Sequence, residues 1–234
     1  MKHPQLPLGL ALKDSARFES FFPGQNQETV QSLRSAAAGR GESLVYIAGP
    51  AGMGKTHLLQ AACHLAAEHQ RTSSYLPMRE LLKLSAEIFQ GLEQLELVCL
   101  DDAQVLAGLD DWERGLFDLF NRLRDSGSTL LVAAEQVPAR AGFELPDLVS
   151  RLGWGVSYVL KPLADDEVLA ALSCRARGRG LELPEETAGF LLKRIPRDLP
   201  SVFDLLDRLD EASMIEQRRL TIPFVKSVLD QVPE

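Results

Sequence analysis

The chain has little of what would tie it to a disulfide frame, a membrane or a nucleic-acid surface. Its 234 residues include three cysteines, Cys63, Cys99 and Cys174, far apart and without a CxxC pair. An odd, widely spaced set argues against a disulfide scaffold or a zinc site and points to reduced core thiols. Histidine is also scarce. His57 and His64 could share one helix face, but no carboxylate accompanies them at ligand spacing, so no metal motif results. No apolar run approaches the ~20 residues that a bilayer span needs. The opening "MKHPQLPLGLALKDSARF" has a short apolar stretch holding Pro7 and Gly9, and Lys13 and Asp14 follow at once, which argues against a secretory signal. Positive charge is in deficit: 25 Lys and Arg against 33 Asp and Glu leave a formal net charge of −8. Phosphate contacts need clustered Lys and Arg, so no strong direct DNA binding is expected from bulk charge. These absences together suggest a cytoplasmic protein with no membrane partner.

What is present is ordinary globular composition, 45% hydrophobic and 25% charged, on a chain long enough to bury a full core. Residues 1–16 read as a loosely structured tail. "FFPGQNQETVQSLRSAAAG" reads as a turn and then a helix capped by Asn26 and stopped near Gly39. Five apolar stretches follow at strand length, 43–49, 73–78, 95–102, 128–135 and 156–163, with helical patterns between them. In the fourth of the chain's helical patterns, Trp112, Leu116, Phe120 and Leu123 fall on one face. Strands alternating with helices imply a parallel five-stranded sheet flanked by helices. After Leu163 the strand pattern stops and four helical segments remain. The expected architecture is an α/β nucleotide-binding domain over 17–162 and a helical lid over 163–234.

The stretch "GPAGMGKTHLL" carries the chemistry. Gly49, Gly54, Lys55 and Thr56 match GxxxxGK[ST], between a predicted strand and a predicted helix. Glycines let backbone N–H groups turn inward around phosphates, and the helix starting near Lys55 points its positive end at them. Pro50, Ala51, Gly52, Met53 and His57 complete the candidate cradle. Lys55 would neutralise phosphate oxygens and Thr56 would offer its hydroxyl to Mg²⁺. "LVCLDD" ends an apolar strand in two carboxylates. Asp101 would hold the metal and Asp102 could polarise an attacking water. In "SRLGWG", Arg151 sits where a short helix would end before Gly153. It is displayed either to reach outside its own subunit or simply to pair with a surface carboxylate.

The chain resembles the AAA+ ATPases of the DnaA initiator clade, and within it the DnaA-related regulatory inactivators. The resemblance rests on "FESFFPGQN", "GPAGMGKTHLL", "LVCLDD", "FDLFNRL", "LPDLVSRLGWG", "LELPEETAGFLLKR" and "RRLTIPFVK", in the family's order. It implies that Phe21, Phe22 and Asn26 line the base pocket of an adenine nucleotide. It implies that Arg151 is an arginine finger acting in trans on a DnaA initiator molecule. It also implies that "QLPLGL", with Gln5, Leu6, Leu8 and Leu10, docks on the DNA polymerase sliding clamp, giving a nucleoid-associated protein. A tail that packs on its own domain is the alternative for that stretch. AAA+ modules self-associate through the finger surface, so a homodimer is expected to compete with the partner. Two sensor positions depart from the family: Glu135 stands where the initiator has Asp, and Pro200 where the lid usually has Arg. Proline carries no charge, which points to a tightly held ADP with little turnover. The rival reading is an ATP-hydrolysing loader or motor, kept open by Lys55, Thr56, Asp101 and Asp102. An origin-binding initiator is disfavoured by the acidic balance.

Overall fold

Alternating apolar strands and amphipathic helices can bury their apolar surfaces only by layering. The computed structural model describes residues 12–178, 180–192, 194, 199–216 and 219–229. The strands are β1 (Leu44–Ala48), β2 (Ser73–Pro77), β3 (Leu97–Asp101), β4 (Thr129–Ala134) and β5 (Val156–Val159). They form one parallel sheet in the order β2-β3-β4-β1-β5. The helices are α1 (Gln27–Ala37), α2 (Lys55–Glu68), α3 (Met78–Leu81), α4 (Asp110–Ser126), α5 (Pro146–Leu152), α6 (Asp165–Gly178), α7 (Glu185–Leu192), α8 (Leu199–Glu216) and α9 (Ile222–Leu229).

Every residue of β1, β3 and β4 is buried, as expected for strands covered on both faces. The two-residue period sorts their side chains between two cores. Tyr46, Val98, Leu100 and Val132 pack with Trp112, Leu116, Leu119 and Leu148 of α4 and α5. Val45, Ile47, Leu97, Cys99, Leu131 and Ala133 pack with Leu33 of α1 and Leu58, Leu59 and Ala62 of α2. Cys63 and Cys99, far apart in sequence, meet there with their sulfurs 3.5 Å apart. A third core belongs to the helical lid, where Leu172, Ala188, Leu191, Leu206, Leu209 and Phe224 converge.

Several sequence-based boundaries shift. The β2–β3 crossover, expected to be helical, holds only the four-residue α3 and two 3₁₀ turns, 86–89 and 92–94, and Gly91 with a left-handed φ of 81° keeps those two turns from joining. The fifth strand stops at Val159 rather than 163, just before Lys161 and Pro162. Residues 12–16, assigned to a loose tail, are packed. Leu12 lies against the α1/α2 core, Ala16 is buried, and Lys13 N donates to Gln60 Oε1 at 3.2 Å. The tail residues Gln5, Leu6, Leu8 and Leu10 lie outside the described residues. Asn26 does precede α1, but its amide does not cap the helix. Its Nδ2 donates to Lys161 O at 2.9 Å, and its Oδ1 accepts from Lys161 N at 2.8 Å. That two-way clamp ties the start of α1 to the segment leaving β5.

Leu100 is fully buried in the middle of the sheet. Leu100→Ala is expected to cost about 2–5 kcal/mol of stability, measured by urea unfolding followed by circular dichroism.

Candidate functional site

In a parallel sheet, ligands bind beyond the carboxyl ends of the strands. A cleft of about 480 Å³ opens there, lined by the loop after β1, the ends of β3 and β4, the segment before α1 and the first lid helix. Of the sequence-predicted residues, Phe21, Phe22, Asn26, Ala51, Gly52, Met53, Gly54, Lys55, Thr56, His57 and Asp102 line it.

The loop is shaped for close approach. Gly54 precedes α2 with a left-handed φ of 84°, and a Cβ added to it would come within 2.7 Å of the Phe21 ring. Only glycine satisfies both limits. The fourteen-residue α2 then aims its free N–H groups into the cleft. Lys55 is buried, and its ammonium donates to Gly49 O at 2.6 Å and Pro50 O at 2.9 Å. Burial lowers its pKa, while Asp102, Asp101 and Glu135 act in the opposite direction. A polyanion entering the cleft would draw this ammonium off the two carbonyls.

Below the loop, Thr56 Oγ1 donates to Asp101 Oδ2 at 2.6 Å. Tyr75 Oη donates to the same oxygen at 2.8 Å, and Asp102 N to Oδ1 at 3.0 Å. Burial raises the pKa of Asp101 against these bonds, and burial beside Asp101 pushes the Tyr75 phenol up, so Tyr75 stays a donor. Thr56 and Asp101 thus bring a hydroxyl and a carboxylate together at the phosphate loop. That oxygen pair suits Mg²⁺, which takes few protein ligands and completes its shell with water and phosphate. The residues present fit a Mg²⁺-nucleotide, which would supply charge neutralisation between its phosphates.

Asp102 follows in the left-handed region, φ 55°, which short polar residues tolerate. Arg79 Nε donates to Asp102 Oδ2 at 2.7 Å, and an Arg79 terminal nitrogen to Glu135 Oε1 at 3.2 Å. Gln104 Nε2 donates to Asp102 Oδ1 at 3.0 Å, and Glu135 N donates to Gln104 Oε1 at 3.2 Å. Sequence reasoning missed Tyr75, Arg79 and Gln104. No motif marks them, because their roles come from sheet order and from the loop after β3.

At the opposite end, the segment before α1 is pinned onto α2. The His57 ring nitrogen Nε2 lies 2.8 Å from Arg17 O, and that of His64 3.1 Å from Lys13 O. Phe21 packs 5.7 Å from the His57 ring. Lid residues Ala171 and Arg175 of α6 close this side. An apolar slot with ring faces and a few polar groups suits a nucleobase. Pro200 is the second residue of α8, which begins after the undescribed residues 195–198.

Arg151 is in the last turn of α5 and is absent from the described cleft lining. Its guanidinium lies 3.9 Å over the ring of Trp154, which is 59% exposed. What aims α5 is Glu113, a carboxylate only 2% exposed. It accepts from Gly108 N at 2.7 Å, Glu144 N at 3.0 Å and Leu145 N at 2.7 Å, holding the backbone at the entry to α5.

A glycine loop between β1 and α2, a hydroxyl and carboxylate paired beneath it, and a helical lid define a P-loop fold of AAA+ architecture. The bacterial DnaA ATPase-domain family matches residues 12–159, and the lid-domain family described as "Hda, lid domain" matches residues 165–229. The chain belongs to the bacterial DnaA ATPase-domain family and carries an Hda-type lid, which makes it a DnaA-related AAA+ protein of replication initiation. Among solved structures it is similar to domain III of the Thermotoga maritima initiator DnaA. That match has 23% identity and a TM-score of 0.78, over 94% of this chain and 98% of the other. AMPPCP-bound DnaA from Aquifex aeolicus matches at 24% identity and TM-score 0.69, over 88% of this chain and 68% of that one. The RuvB Holliday junction branch migration motor of Thermotoga maritima shares the fold at 20% identity and TM-score 0.60, over 92% and 73%. Among the described residues no helix is long and apolar enough to cross a membrane.

Lys55→Ala is expected to lower nucleotide affinity by at least ~10-fold, one lost charge-assisted contact, read by equilibrium dialysis with labelled ATP. Glu113→Gln places an N–H₂ group against buried N–H donors and should cost about 1–3 kcal/mol in thermal or urea unfolding.

Proposed function

We propose that this protein is a regulatory adaptor that ends the competence of DnaA by completing that initiator's ATP site in trans. The observation that carries the reading is Arg151, a guanidinium at the free end of α5, outside the chain's own cleft and parked on an exposed tryptophan. A stacked guanidinium keeps its donors free at the rim for a phosphate on another subunit. Such a finger stabilises charge on the transferring phosphoryl group and is worth ~10³–10⁵ in rate, roughly 4–7 kcal/mol of barrier.

The chain's own ligand is an adenine nucleotide, ADP with Mg²⁺, held by Gly49 to Thr56 and Asp101 as a brace that keeps α5 and the lid in register. Gln5, Leu6, Leu8 and Leu10 dock the protein on the sliding clamp, Gln5 by amide hydrogen bonds and the leucines as apolar anchors. A short tether raises the local concentration of the finger to about millimolar. It also confines the activity to DNA already being copied, which prevents re-initiation. A homodimer made through the Arg151 surface would hide the finger, so the adaptor is active when that dimer opens. The protein acts in the cytoplasm, on the nucleoid through the clamp. A second reading, an ATP-hydrolysing loader or motor, draws on the intact Thr56–Asp101 pair. DNA-dependent hydrolysis with ring assembly by the purified chain would favour that reading.

Arg151→Ala should retain nucleotide and clamp binding and lower stimulated ATP hydrolysis by DnaA at least ~10³-fold. Full stimulation by the variant, in a radiolabelled phosphate-release assay on clamp-loaded DNA, would refute the finger. Removal of residues 1–10 should abolish clamp binding in surface plasmon resonance and leave nucleotide binding intact, and an unchanged clamp affinity would refute the docking peptide.

A further inference from the structure

At the end of the cleft beyond β3 and β4, four side chains close a ring. Arg79 comes from α3, Asp102 and Gln104 from the turn that follows β3, and Glu135 from the residue after β4. Arg79 bridges the two carboxylates at 2.7 and 3.2 Å. Gln104 closes the other side, donating to Asp102 Oδ1 at 3.0 Å and accepting from Glu135 N at 3.2 Å. Both oxygens of Asp102 are therefore engaged by donors of the same chain. Arg79, Asp102 and Glu135 all line the cleft.

Hydrolysis needs a positioned water. Its oxygen bonds to the γ-phosphorus as the bond from that phosphorus to the β–γ bridging oxygen breaks. The electron pair leaves on ADP, and the water's proton ends on the released phosphate. A carboxylate with an open acceptor site orients that water. Asp102 has the right place, beside the Thr56–Asp101 pair, but Arg79 occupies its Oδ2 and Gln104 its Oδ1.

We infer that Arg79 locks Asp102 and Glu135 together in cis and is the residue that keeps any triphosphate entering this site from being hydrolysed. An isolated ion pair of this exposure would be a surface decoration worth little. This one differs because it engages the two positions that would otherwise orient the water and sense the γ-phosphate. The lock rests on the reading that the cleft binds an adenine nucleotide, and it does not depend on Arg151 or the clamp.

The test is single-turnover hydrolysis of γ-labelled ATP by the purified full chain, with ATP affinity measured in parallel by equilibrium dialysis. Arg79→Ala is expected to hydrolyse ATP at least ~10-fold faster than wild type, at the low end of what a positioned proton acceptor contributes. Arg79→Lys, a point charge that cannot bridge both carboxylates, should show a smaller gain. Adding Asp102→Asn to Arg79→Ala should return the rate to the wild-type level. A rate for Arg79→Ala equal to or below wild type would overturn the lock, as would a gain that survives Asp102→Asn. A wild-type chain that binds neither ATP nor ADP would sink the nucleotide reading and the lock together, and one that binds ADP alone would sink the lock. A chain that binds ATP and ignores Arg79 would sink the lock alone.

Discussion

The site depends on one contact, the hydrogen bond from Thr56 on the first turn of α2 to Asp101 at the end of β3. It joins two elements 45 residues apart in the chain. It holds them at the spacing where a hydroxyl and a carboxylate can share a cation. Tyr75, on the neighbouring strand, donates to the same carboxylate, so the acid sits in a prepared shell of donors rather than bare in the core. A buried carboxylate without such partners would carry a large desolvation cost. The sheet order makes this possible, since β2 and β3 are adjacent and β4 lies between β3 and β1.

Around that contact stand three cations in three settings. Lys55 is buried and turned onto its own loop, and its partners are carbonyls that a phosphate would replace. Arg151 is on the surface, stacked on Trp154, with α5 aimed by the buried Glu113. One lines the chain's own cleft and the other lies outside its lining. Arg79 is a third case, a guanidinium lining the cleft whose partners are the carboxylates of Asp102 and Glu135.

The lid contributes from α6, through Ala171 and Arg175, and its own core packs independently of the sheet's two cores. The side of the cleft lined by Phe21 and His57 is closed by a segment that looks like tail in sequence. Lys13 and Arg17 reach α2 through backbone carbonyls on His64 and His57, contacts that leave no pattern in the residue order. Asn26 has the residue type and place of a helix cap, yet its amide finds the backbone of Lys161, 135 residues away. Local propensity proposed one partner for it, and tertiary packing supplied another.

Much of this protein was determined by residue order alone. Strand-length apolar runs and 3.6-residue periodicity specify local structure, and their alternation leaves a layered parallel sheet as the way to bury both faces. The bounds of α2, the glycines of the phosphate loop and the paired acids at 101 and 102 were legible because each is a short-range requirement of backbone geometry or charge. The tertiary structure decided the rest. Tyr75, Arg79 and Gln104 acquire their roles when β2, β3 and β4 become neighbours, and Glu113 acquires its role when α4 packs beside the entry to α5. A side chain's partner across the sheet is set by strand order and register, and neither is written in any short stretch of the chain.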